Sequence, residues 1–132
     1  MRALSISAAA GATPDRAQSE RPPDDLIALL LCQCHLLLTR QGYRPDGAAR
    51  SCDYSWVRYC RRGHDRRGEP GAMRLLILHD VRERAVMLEQ YFTDDTLGVE
   101  TPYQRQRHAY APDDPPAALA GQVATTVAAW LR

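Results

Sequence analysis

Four cysteines, at positions 32, 34, 52 and 60, and two His-Asp pairs, His64-Asp65 and His79-Asp80, are the residues whose types could do chemistry. Cys32-x-Cys34-His35 followed by Cys52 and Cys60 offers thiolates and an imidazole, the ligand types of zinc. The spacing argues against a site. Structural zinc recruits closely spaced cysteines from loops that turn around the ion, whereas these fall within a helical segment and along a strand segment. Cys32 and Cys34 would point to different sides of one helix and cannot pair. The expectation is therefore four buried cysteines acting as small hydrophobes, with no metal and no other cofactor.

Histidine beside aspartate is the raw material of general base catalysis and of metal ligation. Here one pair lies in a glycine-rich loop and the other ends an apolar run, which suits a turn aspartate next to a strand-terminal histidine. The chain contains no GxGxxG, Walker A, GxSxG or HExxH motif, so nothing specific marks it as an enzyme. The strongest local feature is the segment 58–68, with Arg58, Arg61, Arg62, Arg66 and Arg67 against the single Asp65. A basic hairpin with aromatic neighbours could follow a phosphate backbone.

Composition tempers that reading. All 17 basic residues are arginine, there is no lysine or asparagine, and phenylalanine occurs once. Lysine, asparagine and phenylalanine use AT-rich codons, so their scarcity points to a GC-rich genome, bacterial or of a phage, and arginine in place of lysine needs no functional explanation. The net charge of +1 supplies no global field to attract nucleic acid or an acidic membrane.

The elements that must position these residues can be read from periodicity. Residues 1–23, rich in Ala, Ser, Arg and Pro, read as a flexible tail, and their apolar run is too short for a signal peptide. Residues 24–132 read as one domain. A helix spans about 24–41, with Leu26, Leu29, Leu30, Gln33 and Leu37 on one stripe, Ile27, Leu31, Cys34 and Leu38 on the next, and Gly42 as its stop. Its apolar run of about 13 residues covers ~20 Å, short of a ~30 Å bilayer core, so a cytoplasmic protein is expected.

The next residues, Gly42 to Gly47, carry turn chemistry and lead into a loop. Between Cys52 and Arg61 a strand is expected, with Cys52, Tyr54, Trp56, Arg58 and Cys60 as the face better suited to the core. Arg62 to Gly71 should form an exposed hairpin loop. Arg74-Leu75-Leu76-Ile77-Leu78-His79 is a continuous apolar run, the pattern of a central strand covered on both faces. Residues 84–92 fit a strand, although Asp80 and Glu83 resemble a helix capping box. Thr93 to Gly98 is a turn, Gln104 to Tyr110 a polar edge strand, and a second helix starts at Asp113-Asp114-Pro115-Pro116, where an aspartate should cap it.

The expected fold is a two-layer α+β domain, an antiparallel sheet of three or four strands with both helices on one face. The first helix has more apolar surface than one sheet face requires, so Leu26, Leu29, Leu30 and Leu37 are candidate contacts for a protein partner or a second copy. The function expected first is a small non-catalytic interaction protein of the accessory, immunity or phage-inhibitor type. The alternative is a nucleic-acid-binding module built on arginines 58–67. No membrane partner is expected.

Overall fold

The structure is a computed structural model that describes residues 23–132; the tail expected over residues 1–23 lies outside the described residues apart from Pro23. The elements run α1 (Pro23–Arg40), β1 (Arg44–Arg50), β2 (Tyr54–His64), β3 (Pro70–Asp80), β4 (Ala85–Asp94), β5 (Glu100–Ala109) and α2 (Pro116–Trp130). The five strands form one antiparallel meander in the order β1-β2-β3-β4-β5. Both helices lie on one face, α1 packing on α2 and β2, and α2 also touching β5. This is the expected α+β arrangement with one strand more.

The extra strand is β1, where turn residues and a loop were expected. Pro45 lacks an N–H and survives in a strand only because β1 is an edge, and the pairing with β2 slips by one residue between Pro45 and Gly47. α1 stops as its sequence implies. Gly42 takes φ 87°, and the N–H groups of Gln41, Gly42 and Tyr43 return to the carbonyls of Leu38 and Thr39.

Residues 85–94 form a strand. Asp80 does accept the Glu83 N–H at 3.0 Å, but it closes a hairpin turn that ends with Arg84 at φ 49° instead of starting a helix. The same economy appears before α2. Its N-cap is Pro115 with no side-chain cap, and Asp114 accepts the Ala111 N–H at 2.8 Å, so the expected aspartate cap is not made.

The core lies between the helices and the inner sheet face. Leu26, Leu30, Cys34 and Leu38 recur every fourth residue along α1 and meet Val57 and Tyr59 of β2, Leu75 and Ile77 of β3, Val86 and Leu88 of β4, and Leu119, Ala120, Val123 and Val127 of α2. β2 therefore turns inward the face opposite to the one expected. Putting Tyr54, Trp56, Arg58 and Cys60 inside would have buried a guanidinium against apolar helices, a cost that only a paired carboxylate offsets. With Tyr59 inside instead, its hydroxyl reaches His35 Nδ1 at 3.0 Å, and Arg58 on the outer face reaches Asp46 at 3.3 Å.

Candidate functional site

The cysteines do not assemble. All four are free thiols; Cys34 is buried in α1, Cys60 is half-buried on the outer sheet face, and Cys32 and Cys52 are exposed. The expectation of four buried cysteines fails at the last two, because Cys32 lies off the buried line of α1 and Cys52 lies in the turn between β1 and β2. Burial pushes the Cys34 thiol up to about 11, which leaves it protonated and unreactive. Among the described residues no group of three or more His, Cys, Asp and Glu side chains could hold a metal ion.

Both His-Asp pairs are turn structures. Asp65 accepts the N–H groups of Arg67 and Glu69 at 2.8 and 2.9 Å, and these backbone donors hold its carboxyl below the ordinary range. His79, 3% exposed, places Nε2 2.7 Å from the Tyr110 hydroxyl. Its register neighbour across β2 is Ser55, 2% exposed, and no hydrogen bond joins the two. A serine and a histidine so enclosed have no route to a substrate.

Burial lowers the His79 pKa below its ordinary 6.5, and burial lowers that of His108 as well. The folded protein therefore binds fewer protons than the unfolded chain just below that pH. Stability present above about pH 6.5 is lost as pH falls through that value toward the lower folded pKa. Thermal unfolding between about pH 7.5 and about pH 5 should show a falling Tm, with the slope reduced by His79→Gln more than by His108→Gln, whose site is half-buried. Equal slopes in all three proteins would refute this account of His79.

The five arginines of the basic segment diverge. Arg58 and Arg62 lie on the outer face, Arg58 held by Asp46 and stacked 5.7 Å from the Trp56 ring, Arg62 held by both oxygens of Asp95. Arg61 points to the helix side, donating to the Gln41 carbonyl at 3.0 Å over the Tyr43 ring. Arg66 covers Tyr103 at 4.8 Å, and Arg67 stands 3.9 Å from Asp65. Arg61 thus stands on the opposite side of β2 from Arg58 and Arg62, so the five arginines do not share one face. Of the α1 leucines, Leu26 and Leu30 are interior and unavailable to a partner, Leu29 and Leu37 are half-buried, and Leu36, not singled out from sequence, is 59% exposed.

The outer face of the sheet is the surface that sequence reasoning missed. Strand register places its side chains in rows across the strands. One row reads Ala49, Trp56, Leu78, Met87, Arg107; the next reads Gly47, Arg58, Leu76, Glu89, Arg105. Trp56, Leu76, Leu78 and Met87 are half-buried but do not join the core, and Tyr54 beside them is 44% exposed. Both helices lie on the opposite face of the sheet. Toward its other end Asp46 binds both Arg58 and Arg74, and Arg74 reaches Thr93 at 3.4 Å. The apolar centre is thus bordered by fixed charges. The run from Leu75 to Leu78 was the signal that could have found it.

Comparison with protein-family models, with curated proteins and with solved structures finds no match to this chain. Among the described residues no helix is long and apolar enough to cross a membrane.

Proposed function

We propose that this protein is a small non-catalytic protein–protein interaction protein of accessory, immunity or inhibitor type, whose protein-binding surface is the outer face of its sheet. One observation carries the reading: β3 has the apolar run of a strand covered on both faces, yet the described residues cover only one. An antiparallel sheet facing water alternates apolar with polar residues, whereas here Trp56, Leu76, Leu78 and Met87 form a contiguous apolar centre. The sheet edges are poorer candidates. β1 is short, carries Pro45 and is bulged, and β5 carries Pro102 and exposed arginines, features that discourage strand addition.

A photoreactive benzophenone side chain at position 78, in the protein expressed in its host cell, tests this. A protein adduct should form from position 78 and not from the exposed turn position 82. No protein adduct from 78, or equal yields from both, would refute it.

A further inference from the structure

The outer face is complementary to itself. β3 is the middle strand, and on either side of it the two central rows carry unlike partners at equal distance: Arg58 on β2 and Glu89 on β4 flank Leu76, and Trp56 and Met87 flank Leu78. A two-fold axis parallel to β3, running between two stacked sheets, exchanges β2 with β4 and preserves height along the strands. It sets Arg58 over Glu89 of the second copy, Trp56 over its Met87, and Leu76 and Leu78 over their own counterparts. Arg105, on β5, comes over the Asp46 end of β1. The Arg58–Glu89 and Trp56–Met87 contacts each occur twice and the Leu76 and Leu78 self-contacts once, on the axis, as in an isologous interface.

Charge agrees with this placement. Glu89 is half-buried and, although Arg105 is its cross-strand neighbour, forms no ion pair among the described residues, so an arginine from above would supply one. Area agrees as well. Five strands at about 4.8 Å and about four rows of outward side chains at about 6.8 Å span a face of roughly 650 Å² per copy, about 1,300 Å² in all, above the roughly 1,000 Å² that a specific interface needs. Aligned sheets about 10 Å apart pack by interdigitating such rows.

We infer that the occupant of the outer sheet face is a second copy of this chain, packed sheet on sheet about a two-fold axis along β3. The inference rests on the outer face being the binding surface, and it names that partner. Trp56 and Trp130 are the two tryptophans, so a Trp130→Phe protein reports on Trp56 alone.

Light scattering on the full chain at micromolar to ~100 µM concentration should give twice the 14.8 kDa chain mass. In Trp130→Phe, Trp56 emission should move to shorter wavelength as concentration rises. Leu78→Glu, which sets two like charges together at the axis, should give a monomer with unchanged far-ultraviolet circular dichroism, and Glu89→Gln should raise the dimer Kd about tenfold. Should Leu78→Glu fail to fold, the Trp56 shift and Glu89→Gln decide. A strict monomer overturns the inference, as does a dimer broken by Leu36→Glu on α1 but not by Leu78→Glu. A monomer with short-wavelength Trp56 emission at every concentration means that the chain covers its own face, which also overturns it. A monomer that still forms an adduct from position 78 with a different protein removes self-association and leaves the binding surface standing.

Discussion

Gly71→Ala should be among the most damaging single-methyl changes in this protein, lowering stability by about 3 kcal/mol. A Cβ built on Gly71 lies 2.3 Å from the carbonyl oxygen of Thr93 and 2.6 and 2.8 Å from ring carbons of Phe92. Contacts that short cannot persist. The oxygen belongs to the backbone of the adjacent strand β4, which pairs Asp94 with Gly71 in register, and the Phe92 ring is itself buried at 2% exposure. Relief requires β3 and β4 to separate or the ring to leave its site, and either loses packing over a whole strand end. Gly63, the cross-strand neighbour of Gly71 on β2, provides the control, since a Cβ there meets nothing within 4 Å. Urea unfolding should place Gly63→Ala within about 1 kcal/mol of the parent and Gly71→Ala far below it. Equal midpoints would show that β4 yields to the added methyl at little cost.

How far the fold could be read from the sequence depended on whether local signals had one consistent meaning. α1 and α2 did: a long apolar period with a glycine stop, and prolines opening an alanine-rich stripe, have few alternatives. β3 was equally plain as a run of aliphatic residues. The failures occurred where one local chemistry serves two geometries. Pro45-Asp46-Gly47 is turn chemistry, yet at a sheet edge proline and glycine are tolerated within a bulged strand. Asp80 and Glu83 make the same carboxylate-to-N–H bond whether a helix or a hairpin follows. On β2 aromatic residues stand on both faces, so periodicity alone could not choose between them. The choice was made by Arg58, which needed Asp46 from a strand that the sequence did not announce.

The candidate surface was legible for the same reason that its location was not. Continuous apolar character in β3 indicates that two faces are covered but not by what. The excess leucine of α1 drew attention to that helix as the contact surface. Much of it is absorbed by α2: Leu26, Leu30 and Leu38 are enclosed with Leu119, Val123 and Val127, while Leu29 and Leu31 pack at the margin of the same core. Helix-on-helix packing is a long-range event between the two ends of the chain, and no local window contains it. The surplus then reappears on the side of the sheet that neither helix reaches.

That division gives a paired prediction on adjacent residues of one strand. Ile77 is fully buried beneath the helices, and Ile77→Ala should cost about 3–4 kcal/mol, through lost transfer energy and the cavity left in a core that closes only partly. Leu76 points to the outer face and is only half-buried, so Leu76→Ala should cost about 1 kcal/mol or less when urea unfolding is followed at low protein concentration. The ranking should change with concentration. If the outer face binds a second copy, association adds to the apparent stability of the parent as protein concentration rises, and Leu76→Ala loses most of that increment. Ile77→Ala should keep the increment while remaining the less stable protein, because its lesion lies on the opposite side of the strand. Parallel concentration dependence in the parent and in Leu76→Ala would mean that the outer leucines do not meet across an interface. A similar cost for both substitutions at low concentration would mean that the outer face is as well covered as the inner one within a single chain.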